Sequence, residues 1–361
     1  MNPLVRQLEE RAQRRLERKI PSWARIEGLA PPSGLALEQC SSEETALFKA
    51  TLAQGDRLVD LTGGYGVDCA FMSRSFRQTD YVERDAALAE TARRNFALLG
   101  LGIQVHNADA EDFLKTLPVV DCLFVDPARR GTDGRKVVSL PDCTPDVERL
   151  HDNLLARCRV LLLKLSAAHD ISEALRVFPE TTDVYAVGAR GECKELLLRV
   201  RSGSEPPAEP LIHCVEGREI FRFRPSEERE AVPACAAPLA YVYEPDATLL
   251  KAGAFKCLCG RYGVYKLHPN SHLYTSGHPV TDFPGRTFAV KACLKANDKA
   301  LKSIGRANLT VRNFPASVDA LRKKWKLSEG GDTYLLATTL PDGSHRVLLC
   351  KKENSGQPDR V

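Results

Sequence analysis

At 361 residues the chain is long enough for two or three domains, and its 43% hydrophobic and 27% charged residues are those of a globular protein in water. The longest apolar runs, such as "RVLLLKLSAA", are too short to span a bilayer and are broken by charge, which argues against membrane helices. Net charge is +4, yet residues 286–361 hold fifteen Lys or Arg against seven Asp or Glu. That asymmetry favours a polyanionic partner, with a solvated basic surface as the alternative.

In chain order, "MNPLVRQLEERAQRRLERKI" reads as a charged amphipathic helix without the apolar stretch of a signal peptide, so a cytoplasmic protein is expected. The twelve cysteines are scattered through apolar segments and read as reduced thiols. Cys257 and Cys259 form a close pair followed by His268, His272 and His278, but no second pair stands at zinc-finger spacing. Buried thiols and surface histidines are the reading taken, and no metal is expected.

"EQCSSEETALFKA" (38–50) places Ser41 or Ser42 before Glu44, an N-cap or near capping box opening a helix. From residue 55, β-branched or leucine-rich runs alternate with helical stretches, the pattern of a doubly wound parallel sheet. Strands are expected at 57–62, 79–84, 102–107, 121–126, 160–166, 182–188 and 195–201, with a helix over 85–100. Only "ARGECK" separates the last two strands, which predicts an antiparallel hairpin. The Ser-, Pro- and Glu-rich stretch 201–210 reads as a domain linker. Residues 211–285 show no clean period. Beyond them come a strand at 286–294, the helix "KANDKALKSIG", the strand "RANLTVRNF", the helix "SVDALRKKWKL" and a hairpin turning at "PDGS".

The most informative stretch is "RLVDLTGGYGVDCAF" (57–71), where Asp60 precedes the glycines Gly63, Gly64 and Gly66, and Asp68 follows them. Glycine turns between strand and helix usually cradle phosphate, which a carboxylate repels. A dinucleotide fingerprint also wants a third glycine where Cys69 stands. S-adenosylmethionine carries a sulfonium and an ammonium and has no phosphate, so Asp60 can accept from its ammonium. Asp68 suits a helix start through the dipole and is counted, with the three glycines, among the cofactor-binding residues. Glu83, 23 residues after Asp60, can hold the ribose hydroxyls, and Asp109 in "HNADAEDF" the adenine amino group. "VDPARRG" (125–131) then supplies a fourth acid, Asp126, in register along the sheet edge.

These motifs resemble the class I S-adenosylmethionine-dependent methyltransferases. "EQCSSEETALFKA", "DLTGGYGVD", "VDPARR" and "GECKELLL" resemble, more narrowly, a bacterial family of THUMP-like domain methyltransferases. The resemblance implies a helical region at 1–50, a Rossmann-like catalytic domain at 51–203, a ferredoxin-like α+β domain at 211–285 and a small THUMP-like α+β domain at 286–353. It also implies that Gln39, Ser42 and Thr45 close over the methionine end of the cofactor. THUMP domains are associated with RNA modification, so an RNA substrate is implied, with no DNA partner expected.

Three chemistries are open at Asp126. Base N-methyltransferases carry D/N-P-P-Y/F here; Asp126 and Pro127 fit, while Ala128 and Arg129 replace the second proline and the aromatic. Arg129 can stack on a base or grip a phosphate. Pyrimidine C5 methylation needs a cysteine nucleophile, and Cys122 and Cys143 read as structural. Lys164 inside "LLLKLS" and Glu195 opening "ELLLRV" are spaced with Asp126 like the Lys-Asp-Lys-Glu tetrad of ribose 2′-O-methyltransferases, whose central lysine has a lowered pKa. Lys49 is the available first lysine; simple ion pairing of Lys164 with Glu195 or Asp126 is the alternative. A methyltransferase acting on protein or a small molecule, and a non-catalytic RNA-binding protein, are the competing functions. For RNA, "LRKKWKL" groups Arg322, Lys323, Lys324 and Lys326 around Trp325, whose indole packs on a base or into the domain's own core.

Overall fold

The computed structural model describes residues 3–30, 37, 39–129 and 139–353. They divide into two compact units, Met1–Arg222 and Phe223–Val361. The first unit contains β1 (Gly55–Asp60), β2 (Phe76–Glu83), β3 (Ile103–Asn107), β4 (Val120–Val125), the short β5 (Ala128–Arg129) and β6 (Cys143–Thr144), β7 (Cys158–Ser166), β8 (Thr181–Ala189), β9 (Glu192–Arg201), β10 (Leu211–Glu216) and β11 (Arg218–Phe223). Apart from the β5–β6 pair, these form one nine-stranded sheet ordered β11-β10-β8-β9-β7-β4-β1-β2-β3. Strands β1 to β4 and β7 run parallel, and β9 inserts antiparallel between β7 and β8. All seven strands expected from the sequence form, including the closing hairpin. Strand order reverses between β1 and β4, so the crevice at their carboxyl ends is where such sheets hold ligands.

The stretch 201–210 is not a domain linker. β10 pairs in parallel with β8 from Leu211 to Glu216, so residues 211–223 finish the first sheet and the middle domain does not begin at 211. Pro, Ser and Glu mark any irregular chain reversal, and composition does not distinguish a loop returning to its own sheet from a linker.

The N-terminal region also belongs to this unit. The expected helix forms over Pro3–Lys19, and Leu16, Ile20, Trp23 and Leu37 share a core with Tyr65, Phe71, Tyr81 and Phe96. Trp23 stacks on Phe71 with ring centroids 6.4 Å apart. The helix Glu43–Ala50 starts at Ser42, whose Oγ accepts from Thr45 N–H at 3.3 Å. Thr45 occupies the third helical position, so Glu44 completes no capping box.

The second unit contains β12 (Tyr241–Pro245), β13 (Tyr265–Lys266), β14 (Tyr274–Ser276), β15 (Gly285–Lys295), β16 (Asn308–Arg312), β17 (Thr333–Thr339) and β18 (His345–Lys352). They form one seven-stranded sheet ordered β13-β14-β12-β15-β18-β17-β16. The segments read as ferredoxin-like and THUMP-like therefore share a sheet, joined where β15 pairs with β12 on one side and β18 on the other. The helix Val318–Trp325 buries Leu321 and Trp325 against Leu309, Leu335 and Val347. The helix expected in "KANDKALKSIG" shrinks to Ala300–Ser303. The β17–β18 hairpin turns where expected, with Leu340 N–H donating to Ser344 O at 2.9 Å.

Packing explains the glycines after β1. A Cβ on Gly63 would stand 2.1 Å from Cε2 of Tyr81, and Gly66 has a φ of +85° with Phe96 Cζ 2.7 Å from where its Cβ would be. The loop thus lies directly on two buried rings. Gly63→Ala is expected to lose roughly 1–3 kcal/mol of unfolding free energy, read from the urea midpoint. Gly102→Ala, whose Cβ meets nothing within 4 Å, should leave that midpoint almost unchanged.

Candidate active site

Acids line the carboxyl ends of β1, β2 and β3, as the spacing predicts. Asp60 ends β1 and is 1% exposed, and its Oδ1 accepts from Thr62 N–H at 3.0 Å. Burial pushes its pKa up to about 8; the Thr62 hydrogen bond opposes this, and the nearby charges of Asp68 and Asp126 add to it. Glu83 ends β2 and braces the glycine loop, accepting from Gly64 N–H at 2.9 Å and from Asp85 N–H at 2.8 Å. Asp109 follows β3, stays exposed, and caps the helix Ala110–Thr116 by accepting from Glu111 N–H at 2.9 Å.

Beside Asp60 lies a second constellation, built from five separate stretches of chain. Lys49 Nζ stands 2.6 Å from Glu195 Oε1, 2.9 Å from Asp68 Oδ1 and 2.8 Å from Ser41 Oγ. Lys164 Nζ stands 2.5 Å from Asp126 Oδ2, 3.2 Å from Ser41 Oγ, 3.5 Å from Asp68 Oδ2 and 3.9 Å from Glu195 Oε2. Ser41 Oγ donates to Asp68 Oδ2 at 2.7 Å. Burial opposes the charge of Asp68, but Lys49, Lys164 and Ser41 outweigh it and hold its carboxyl below the usual range. Burial likewise opposes the charge of Lys164, and Asp126, Asp68 and Glu195 outweigh it, holding the ammonium well above its ordinary pKa. This is the reverse of the lowered pKa expected for a tetrad lysine, because three carboxylates surround it.

The structure therefore brings Lys49, Asp126, Lys164 and Glu195 together. It adds Asp68 and Ser41, which the sequence reading placed as a dipole partner and a helix cap. The signal was present: Asp68 is a lone acid in the apolar helix Val67–Met72, as Lys164 is a cation within the apolar run of β7, and a buried charge needs a partner. Asp126 is tied to the glycine loop, its N–H donating to Thr62 Oγ1 at 2.7 Å.

Of the remaining expectations, Ser42 and Thr45 bond each other at the helix start, Gln39 is exposed and Pro127 is buried. The side chain of Arg129 and all of Arg130 lie outside the described residues. Cys122 and Cys143 are each 1% exposed. In the second unit Lys323, Lys324 and Lys326 are exposed, while Arg322 donates to Glu329 Oε2 at 3.0 Å. Trp325 Nε1–H donates to Ala296 O at 3.3 Å, so the indole belongs to the domain's own core. Cys257 and Cys259 are buried in the helix Cys257–Tyr262, and His272 stacks on Phe255. Among the described residues no group of three His, Cys, Asp or Glu is arranged to hold a metal, and no helix is long and apolar enough to cross a membrane. A groove of about 610 Å³ lined by Gln54, Asp121, Val160, Tyr185 and Arg199 opens at the amino ends of the strands, remote from these acids.

A parallel sheet with a switch point, a glycine turn flanked by acids and an acid after the fourth strand together define the class I methyltransferase architecture. A solved structure of a candidate methyltransferase from Porphyromonas gingivalis W83 is 36% identical, covers 95% of this chain and 89% of its own, and superposes with a TM-score of 0.86. The chain belongs to that family, the class I S-adenosylmethionine-dependent methyltransferases with a THUMP-like domain. A ferredoxin-like domain model matches residues 241–284 and a THUMP domain-like model residues 285–352. More distant in fold are a candidate class I S-adenosylmethionine-dependent methyltransferase from Listeria monocytogenes (11% identity, 54% of this chain, 71% of that one, TM-score 0.41) and a 16S rRNA N2 guanosine methyltransferase from T. thermophilus (15% identity, 49% and 45%, TM-score 0.34). A search of curated proteins found no match.

Asp60 gives a pH test of this geometry. A carboxyl with a pKa of about 8 in the fold against 3.8 in the free chain holds its proton more tightly when folded, so its stabilising contribution is complete below 3.8 and is lost as pH rises to about 8. Asp60→Asn keeps an acceptor for Thr62 and removes the titration. Its stability relative to wild type should climb across that window by on the order of 1–5 kcal/mol, measured by thermal unfolding at successive pH values.

Proposed function

We propose that the protein transfers a methyl group from S-adenosylmethionine to RNA, ribosomal or transfer, at a base nitrogen or ribose 2′-hydroxyl brought to Asp126. The observation that carries the cofactor is Asp60, a buried carboxyl beside a glycine turn with no cation in contact among the described residues. Among the described residues the acids Asp60, Asp68, Asp126 and Glu195 stand near two cations, Lys49 and Lys164, so the crevice favours a cationic ligand over a phosphate.

In this reading Asp60 accepts from the ammonium. Glu83 takes the ribose hydroxyls with the lone pairs left by Gly64 and Asp85, and Asp109 takes the adenine amino group. Gly63, Gly64 and Gly66 keep the backbone close, Gln39, Ser42 and Thr45 cover the methionine end, and Asp68 holds the two lysines. Bound S-adenosylmethionine supplies an electrophilic methyl carbon. The chain's own residues align the acceptor with it, an effect worth roughly 7–11 kcal/mol. RNA is supported by the THUMP-like segment and by exposed Lys323, Lys324 and Lys326. A cytoplasmic location accords with this substrate.

Asp60→Ala is expected to weaken S-adenosylmethionine binding by on the order of 1.5–3 kcal/mol in titration calorimetry. Unchanged affinity, or a preference for NAD, would overturn the cofactor reading. In filter binding, replacing Lys323 and Lys324 with Gln should lower the slope of log affinity against log salt by roughly 0.7 for each single-strand phosphate that is no longer neutralised, with cofactor affinity unaltered. A wild type that binds no RNA at low salt would point to a protein or small-molecule substrate.

A further inference from the structure

We infer that the atom methylated is a ribose 2′-hydroxyl oxygen, with Asp126 taking its proton and Lys164 donating to its second lone pair. This rests on the S-adenosylmethionine and RNA reading above. Asp126 is the open member of the cluster: its side chain is 36% exposed, against 10% for Lys164, 6% for Glu195 and 0% for Lys49. An acceptor arriving over β4 therefore meets Asp126 first and the tip of Lys164 beside it, a hydrogen-bond acceptor and a donor 2.5 Å apart.

That pairing suits one kind of nucleophile. A hydroxyl has a proton to give and two lone pairs, so one pair can accept from Lys164 while the other faces the methyl carbon. An exocyclic amino nitrogen has a single, delocalised lone pair, which a donating ammonium would occupy or compete for. The second proline and aromatic of a base clamp are also absent, since Ala128 stands exposed after Pro127.

Three carboxylates keep Lys164 protonated, so it serves as donor and the proton must go elsewhere. The balance is simple. The oxygen–carbon bond forms as the carbon–sulfur bond breaks, the pair from that bond goes to sulfur to give S-adenosylhomocysteine, and the hydroxyl proton passes to the Asp126 carboxylate and on to water. Lys49 and Glu195 are positioning residues: Lys49 fixes Glu195 at 2.6 Å and Asp68 at 2.9 Å, and these carboxylates flank Lys164. DNA lacks the acceptor atom.

The test incubates the full chain with methyl-labelled S-adenosylmethionine and total RNA from cells in which the gene has been deleted, then hydrolyses the RNA in alkali. A methylated 2′-oxygen cannot attack its phosphodiester, so label is expected in alkali-stable dinucleotides. Label in mononucleotides would overturn the hydroxyl while leaving RNA methylation standing. No label in RNA, with cofactor binding intact by calorimetry, would overturn the RNA reading and the hydroxyl with it. Asp126→Asn should lower kcat by roughly 10²–10⁴-fold; a wild-type rate would overturn the proton assignment. A readout without turnover uses S-adenosylhomocysteine and a mixed-sequence oligonucleotide in ribo and deoxy forms. The wild type should prefer the ribo form and Asp126→Asn should lose much of that preference, whereas an unchanged ratio would count against the contact.

Discussion

Burying Lys49 and Lys164 under the carboxyl edge of the first sheet carries a desolvation cost that only well-placed carboxylates offset, so Asp68, Asp126 and Glu195 must arrive with them. The five side chains come from a helix ahead of the sheet, the helix after the glycine turn, the loop after β4, the carboxyl-terminal part of β7 and the strand β9. Lys49 and Glu195 are 146 residues apart in sequence. The cluster therefore forms only when the sheet is closed and the N-terminal helices are seated on it. That requirement accounts for the burial of Trp23 and Leu37 against the rings beneath the glycine loop.

The same electrostatics connects folding to chemistry. Each lysine is satisfied by more than one acid, so neither ammonium is free to drift, and Ser41 bridges both of them and Asp68. Asp60 lies next to this excess of negative charge without a counter-ion of its own among the described residues, and its raised pKa is the visible cost. Groups whose ionisation is displaced this far by their surroundings are commonly functional. The tension here is placed where a cationic ligand would relieve it.

Much of this was legible in the sequence where local pattern decides. β1 to β4 and β7 to β9 were readable because apolar runs, acids at their ends and a well-capped helix recur at regular intervals. Asp60, Glu83 and Asp109 could be placed for the same reason, since a parallel sheet puts strand ends in register. That Asp68 needs a buried partner was legible, but which partner was not, because that depends on which way a short helix turns its first residues. The boundary near 201–210 was misread because pairing of β10 with β8 is a long-range choice that loop composition does not encode. The shared sheet of the second unit was likewise invisible, as edge-to-edge pairing of β12 with β15 leaves no periodic mark.

That shared sheet separates heredity from cooperativity. Two family models meet between residues 284 and 285, yet the hydrogen-bond ladder crosses that point without a break, from β12 through β15 to β18. A chain cut there would leave β12 with a bare row of amide and carbonyl groups, the kind of edge that invites pairing with other molecules. The two segments could have separate histories and still melt as one body.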